Sequence, residues 1–132
     1  MKQKDLINAY VSAKYLNQQR LSDVSTAKKV YQLMTKLKPS IDFQIQEEQK
    51  IYDANPDYSP ELNGCAIPAT ASPEEREKYI QETKNVSNAF KKLSETEVDP
   101  IEFEKFTFDC EKNPVSLSGE DIGNLEPFIE FI

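Results

Sequence analysis

Three pairs of neighbouring carboxylates are the side chains of this sequence best suited by type and spacing to acid–base or metal chemistry. They are Glu47 with Glu48, Glu74 with Glu75, and Glu120 with Asp121. Two carboxylates that converge on one point can share a metal ion or divide the roles of general acid and base. Neighbours at i and i+1 point to different parts of a helix surface, so no pair converges unaided. We therefore interpret all three pairs as helix surface or helix start, and predict no catalytic and no metal-binding residues.

The sequence also lacks the residues on which most familiar enzymes depend. It has no histidine, which removes Ser–His and Cys–His nucleophiles and His-ligated zinc. Its three glycines, Gly64, Gly119 and Gly123, form no Gly-rich phosphate loop. Cys65 and Cys110 stand in neither metal nor redox spacing, which favours free thiols in a reducing compartment. We predict a protein that is not an enzyme and needs no cofactor.

Charge is distributed unevenly along the 132 residues, whose formal net charge is −7 and whose pI is about 4.7. Residues 1–40 carry eight Lys or Arg against two acids, residues 41–92 carry six against ten, and residues 93–132 carry two against eleven. The basic first third is interleaved with tyrosines, a pattern found in nucleic-acid-binding proteins, but the overall acidity argues against direct nucleic-acid binding. The acidic last third suggests a different function, because carboxylates can imitate a phosphate backbone and occupy a basic groove on another protein.

We predict that this acidic third contacts a partner protein. Glu102 and Glu104 alternate with Ile101 and Phe103, so burial of the apolar pair as a strand presents the two carboxylates to solvent. The alternative is that acids gather here only to keep a Phe-rich sheet soluble. The candidate partner-binding residues are Glu95, Glu97, Asp99, Glu102, Glu104, Asp109 and Glu111.

A long amphipathic helix over 22–54 is the element around which the chain is organised. Its apolar residues recur every three or four positions, at Ala27, Val30, Met34, Leu37, Ile41 and Ile45. Ser22 is a plausible N-cap with Asp23 in the first turn, and Pro39 predicts a kink within one helix rather than two helices. A capping box at Ser72 begins another helix, whose seam of Tyr79, Thr83, Val86, Phe90 and Leu93 predicts an antiparallel hairpin with the long helix.

Shorter elements precede, join and follow this hairpin. Residues 3–18 read as a first helix, and the segment 55–71 excludes helix and carries an Asn63-Gly64 turn signal. Strand alternation then appears over 101–103 and 106–110, with a third extended piece over 115–117. Ser118 caps a short helix that Pro127 stops, and the apolar terminus after it is expected to complete the core rather than to form an exposed binding tail.

Together these patterns predict an α+β fold with a three-helix arrangement, a long kinked helix and a small antiparallel sheet within 98–117. We expect a single domain over 1–132, with a helical part over 3–95 and a β-rich, acidic part over 96–132. No run of residues is long and apolar enough to span a membrane, and no signal peptide is evident, so we expect a cytoplasmic protein. A homodimer is compatible with the sequence.

The order of several short apolar motifs resembles an uncharacterised family of small proteins from phages and prophages of Gram-positive bacteria. These motifs are LINAY at 6–10, TAKKVY at 26–31, ETEV at 95–98 and IGNLEPFI at 122–129. The resemblance implies a setting, the cytoplasm of an infected bacterium, and no functional residues. We expect a phage-encoded protein-binding protein, in its narrowest form an acidic, anti-CRISPR-like inhibitor that mimics nucleic acid. A virion or assembly component is the alternative, and a nucleic-acid-binding accessory protein is a further one.

Overall fold

The structure is a computed structural model that describes all 132 residues. It contains four helices and two small sheets of two strands each, which confirms the α+β class. In chain order the elements are α1 (Gln3–Asn17), α2 (Val24–Ala54), β1 (Tyr58–Ser59), β2 (Gly64–Cys65), α3 (Pro73–Glu95), β3 (Phe106–Phe108), α4 (Gly119–Leu125) and β4 (Ile129–Phe131).

The chain forms two compact units. Unit 1 comprises Met1–Asp42 and Glu97–Ile132, and unit 2 comprises Phe43–Thr96. This division differs from the predicted helical part over 3–95 and β-rich part over 96–132, because α1 and the first half of α2 pack with the C-terminal segment. Whether the whole chain behaves as a single domain stays a prediction.

Unit 1 has a closed apolar core built from segments far apart in sequence. Its fully or nearly fully buried members come from α1, α2, β3, α4 and the segment that ends in β4. They are Leu6, Ala9, Ala13, Leu16, Val30, Leu33, Leu37, Phe106, Phe108, Leu125, Phe128 and Ile129. Burial of this apolar surface is the main contribution to the stability of the unit.

The beginning of α2 differs from prediction by one residue. Asp23, not Ser22, is the N-cap: its carboxylate accepts hydrogen bonds from the Ser25 N–H (3.1 Å) and the Thr26 hydroxyl (2.8 Å). The Ser22 hydroxyl instead donates to the Lys112 carbonyl oxygen, 2.9 Å away. Ser and Asp are equally good N-caps, so residue type does not distinguish Ser22 from Asp23. The contact of Ser22 with the loop at Lys112 leaves Asp23 as the N-cap.

The helix α2 continues through Pro39 as one element, as predicted, and a bend at that residue stays a prediction. The predicted apolar stripe of α2 is correct at Val30 and Leu37, which are fully buried. Leu33 is also fully buried but is not part of the predicted stripe. Ile45, at the far end of the stripe, is 59% exposed.

The C-terminal sheet is parallel, so the predicted antiparallel sheet within 98–117 was wrong. β3 pairs with β4, with Phe106 opposite Ile129 and Phe108 opposite Phe131. A parallel pair needs a long crossover to bring the chain back to the same end, and the segment carrying α4 supplies it.

Two of the predicted extended pieces, 101–103 and 115–117, are not strands. Phe103 obtains its contacts by packing edge-on against the rings of Phe106 (centroids 6.0 Å apart) and Phe128 (6.3 Å) without pairing in a sheet. The predicted alternation of exposure nevertheless holds, since Glu102 and Glu104 are exposed while Ile101 and Phe103 are half-buried.

The apolar terminus is docked, as expected. Phe128 and Ile129 are buried in the unit 1 core, and the Ile132 N–H donates to the Phe108 carbonyl oxygen at 2.9 Å. The predicted cap of α4 is also present: the Ser118 hydroxyl accepts from the Asp121 N–H at 3.1 Å, and the Asp121 carboxylate accepts from the Ser118 N–H at 3.2 Å.

Unit 2 combines the second half of α2, a short hairpin and α3. β1 and β2 pair antiparallel, and the loop between them ends at Asn63 in the left-handed conformation (φ 51°). Gly64, the second residue of the predicted turn, lies in β2 opposite Ser59. The Ser72 hydroxyl accepts from the Glu75 N–H at 3.2 Å, which confirms the N-cap of α3. The predicted α3 seam is correct, because all five of its residues are buried or half-buried.

α2 and α3 touch within unit 2. The Tyr52 ring lies 5.6 Å from the Phe90 ring between centroids, and it stacks on Tyr58 at 6.0 Å. This contact agrees with the predicted pairing of the two helices, while their antiparallel direction stays a prediction. None of the four helices combines the length and the apolar character that a membrane span requires.

Candidate functional site

Members of each carboxylate pair take part in local structure. Glu47 forms an ion pair with Lys50 (2.8 Å), and Glu48 accepts a hydrogen bond from the Gln44 side chain (3.0 Å). Glu75 contributes its N–H to the cap of α3. No cluster of three or more Cys, Asp or Glu side chains in the structure is arranged to hold a metal ion.

Asp121 also has a structural role, because it takes part in hydrogen bonds between α1 and α4. Its carboxylate accepts a hydrogen bond from the Ser12 hydroxyl at 2.8 Å, and the Asn124 amide donates to the same hydroxyl at 3.1 Å. These contacts join α1 to α4. The hydrogen bond from Ser12 is the main reason why the pKa of Asp121 lies below its ordinary value, and bonds from Ser118 lower it further.

The two thiols are free and both are half-buried. The Cys65 Sγ lies 3.5 Å from a carboxylate oxygen of Glu82 and 3.6 Å from the Thr83 hydroxyl. Burial raises the pKa of Cys65, and the neighbouring Glu82 raises it further. A raised pKa keeps the sulfur protonated, whereas a nucleophilic cysteine is activated by surroundings that lower its pKa.

The predicted acidic contact residues are divided between the two units. Glu95 ends α3 in unit 2, whereas the other six belong to unit 1. Glu97 lies 3.4 Å from the amino group of Met1 and remains exposed. Asp109 turns its carboxylate toward its own loop, where it accepts hydrogen bonds from the N–H groups of Glu111 (3.0 Å) and Lys112 (3.2 Å). Its carboxylate therefore holds the loop that follows β3.

Glu102 and Glu104 are the two candidate residues that the structure brings together. Both are exposed, and both line a groove of about 790 Å³ in unit 1. One wall of this groove is α2 and the other is the segment 102–107. We call it the α2–β3 groove; its lining residues are Lys29, Tyr31, Gln32, Thr35, Lys36, Glu102, Phe103, Glu104, Lys105, Phe106 and Thr107.

The α2–β3 groove carries charges of both signs that are not paired with one another. The lysines Lys29, Lys36 and Lys105 form no ion pair within 4 Å with Glu102 or Glu104. The Lys29 ammonium lies 5.8 Å from the centroid of the Phe106 ring, within the range of a cation–π contact. The groove is thus an apolar cleft with a mixed-charge rim.

A smaller depression of about 440 Å³ continues this surface along α2 and shares Tyr31 and Gln32 with the groove. Tyr31 is 57% exposed and Val24, on the depression, is 68% exposed. Exposed aromatic and aliphatic side chains that adjoin a groove are typical of surfaces that bind other molecules.

Sequence reasoning found one wall of the groove and missed the other. The acidic alternation indicates Glu102 and Glu104, but sequence position alone places Lys29 and Lys36 in the separate basic first third. A possible signal was the exposed-side pattern of α2, where Tyr31 and Thr35 lie one turn apart between the two lysines.

Comparison of the chain with protein families, with curated proteins and with solved structures finds no match. The resemblance to phage and prophage proteins therefore stays a prediction, and the geometry of the groove carries the functional argument.

Proposed function

We propose that this chain is a non-catalytic protein that acts by binding another protein stoichiometrically through the α2–β3 groove. The observation that carries the proposal is the groove itself: Phe103 and Phe106 provide apolar surface, and five charged side chains around them lack an ion-pair partner. Binding sites on proteins combine an apolar centre with a polar rim in this way.

The chemistry of the lining supports binding rather than turnover. The groove contains amines, carboxylates, an amide and hydroxyls, but neither a thiol nor a histidine. An enzyme built on it would have to use Glu102 or Glu104 as its acid or base, and loss of turnover in the Glu102→Gln or Glu104→Gln variant would then contradict the proposal.

Inhibition by imitation of nucleic acid is the narrower form of the proposal. The exposure of Glu102 and Glu104 supports it, because both carboxylates are accessible to the lysines and arginines of a partner. The three lysines in the same groove favour a partner surface of mixed charge over a uniformly basic one. In the setting implied by the sequence resemblance, that partner is a host or phage protein in a Gram-positive cell.

Photo-crosslinking from inside the groove tests the proposal. Tyr31 is replaced by benzoylphenylalanine, and the purified chain is irradiated in a lysate of a Gram-positive bacterium. Tyr15 is the matched control, because it is a tyrosine of unit 1 that is 44% exposed and lies outside the groove. We expect one discrete 1:1 adduct from position 31 and none from position 15. Equal, diffuse labelling from both positions would contradict a groove-specific partner.

A further inference from the structure

The outer edge of β3 is open. On its inner edge the Phe106 N–H donates to the Phe128 carbonyl oxygen (3.2 Å), and the Phe108 carbonyl oxygen accepts from the Ile132 N–H (2.9 Å). In a parallel ladder alternate residues turn both main-chain groups toward the partner strand. Thr107, between these two residues, therefore turns its N–H and carbonyl toward the opposite edge.

No group of the chain pairs with that outer edge. The register with β4 turns the N–H and the carbonyl of Thr107 away from that strand, and neither group bonds elsewhere in the chain; the main-chain groups of Lys105, two residues earlier, also form no hydrogen bond. Thr107 is exposed and lines the α2–β3 groove. Lys105 precedes β3, so Thr107 is the β3 residue whose main-chain groups an added strand would pair with.

We propose that the α2–β3 groove binds an extended, acidic segment of a partner protein, which pairs with Thr107 as a strand added to the outer edge of β3. This inference rests on the proposed protein-binding function and names the form of the partner. In strand addition the main-chain hydrogen bonds supply affinity, and the side chains of alternate residues supply specificity.

The charge of the groove selects an acidic segment. The α2 wall presents Lys29 and Lys36 and no carboxylate, and Lys105 is a third lysine on the facing wall. The Lys29 ammonium lies over the Phe106 ring, on the face of β3 that an added strand would continue. Carboxylates on that face of the segment would contact Lys29, whereas Glu102 and Glu104 would repel carboxylates on its other face, so the segment is acidic on one face only.

A blocked nine-residue peptide of alternating Glu and Val is the probe, added to the ¹⁵N-labelled full chain. We expect chemical-shift changes at the amides of Lys105 and Thr107, with slower hydrogen exchange at Thr107, because its N–H acquires an acceptor. An alternating Lys and Val peptide should bind at least tenfold more weakly. The Glu–Val sequence with every amide N-methylated should lose binding by a similar factor, since it cannot donate to the edge.

Two substitutions at one position test the edge itself. Thr107→Pro removes the outward N–H but leaves the ladder to β4 in place, because proline is tolerated on an edge strand where its nitrogen faces outward. Thr107→Val keeps the N–H and removes only the hydroxyl. We expect Thr107→Pro to weaken peptide binding at least tenfold and Thr107→Val to retain it. Should the proline variant fail to fold, the N-methylated peptide on the natural chain decides.

Three results would overturn the inference. They are no perturbation of Thr107 at millimolar Glu–Val peptide, equal binding of the N-methylated peptide, and Thr107 shifts that follow protein concentration without peptide, which would make a second copy the occupant. If position 31 still crosslinks a partner in those cases, the protein-binding function stands and the strand-addition form fails. If the peptide binds but no partner is ever crosslinked, the proposed function fails instead.

Discussion

Unit 1 and unit 2 differ in how each is stabilised. Twelve apolar residues of unit 1 form one buried cluster, whereas Val86 and Leu93 are the two buried apolar residues of unit 2. The unit 1 cluster joins α1 and α2 to residues near position 130, so its contacts are long-range in sequence. A core of this kind forms or is lost cooperatively.

Unit 2 depends more on contacts between half-buried side chains. Tyr52 packs against Tyr58 and Phe90, and the Cys65 N–H donates to the Thr83 hydroxyl at 3.3 Å. Segments with few buried apolar side chains open at lower free energy than closed cores. The groove therefore lies in the unit that has the larger buried core.

The largest effect should come from the unit 1 core. Phe108 is fully buried and packs against Phe131 with ring centroids 5.4 Å apart. The Phe108→Ala substitution should lower the free energy of unfolding by about 3–5 kcal/mol, because it removes a buried ring and leaves a cavity. Urea unfolding followed by circular dichroism measures the loss. Phe43→Ala in unit 2, where the ring is 40% exposed, is the control and should cost much less.

The matching substitution in unit 2 should have a smaller effect. Val86 is 1% exposed, and Val86→Ala removes two buried methyl groups at a cost of about 2 kcal/mol. Hydrogen exchange should show faster opening of α3 amides with little change in the amides of β3. Uniform acceleration in both units would contradict the distinction between them. Val11→Ala, at a 59% exposed position of unit 1, serves as the control.

Loss of a helix cap should cost less again. Ser118→Ala removes the acceptor for the Asp121 N–H at the start of α4, for a loss of about 1 kcal/mol. Ser72→Ala is the counterpart in unit 2, where the serine hydroxyl accepts from the Glu75 N–H. We expect each variant to accelerate exchange mainly in its own helix. Acceleration in the other helix would show that the two units open together.

Acid should weaken unit 1 through Asp121. The pKa of its carboxyl is held below the ordinary value of about 3.9 by the Ser12 hydrogen bond. The stability it contributes is therefore fully present above about pH 4 and is lost as pH falls through the folded pKa. Urea midpoints at pH 5 and pH 3 measure this loss, which should be smaller in Asp121→Asn. An unchanged acid dependence in that variant would contradict the assignment.

Alkali should weaken unit 2 through Tyr52. Burial, and then the nearby Glu48 carboxylate, raise the pKa of Tyr52 above its ordinary value of about 10. The stability that the protonated Tyr52 hydroxyl contributes is fully present below about pH 10 and is lost as pH rises through the folded pKa. Exchange or unfolding of unit 2 should accelerate in that range, and Tyr52→Phe should remove this component. A variant that keeps the full alkaline loss would point to another group.

The smallest effect on stability should come from the groove carboxylates. Glu102→Lys and Glu104→Lys change exposed side chains without hydrogen-bond partners, so each should alter the free energy of unfolding by no more than about 0.5 kcal/mol. Asp109→Lys is the contrasting variant, because it removes the acceptor of two N–H groups in the loop after β3. It should destabilise unit 1 and is unsuitable as a pure charge reversal.

Several elements could be predicted from the sequence because their causes are local. The α3 cap at Ser72, the capping box of Ser118 and Asp121, and the turn that ends at Asn63 each depend on residues within a few positions of one another. The outward orientation of Glu102 and Glu104 was also predictable, since it follows from alternation alone.

Only the tertiary structure decided the strand partners and the composition of the groove. Alternation shows which side chains are buried, but it does not show which strand lies alongside. It therefore favours pairing β3 with a neighbour in sequence, whereas the partner of β3 is β4. Likewise, no local pattern places Lys29 of α2 beside Phe106, 77 positions later. Such pairings are set by how the whole core closes, because the apolar side chains of distant segments must fill one common volume.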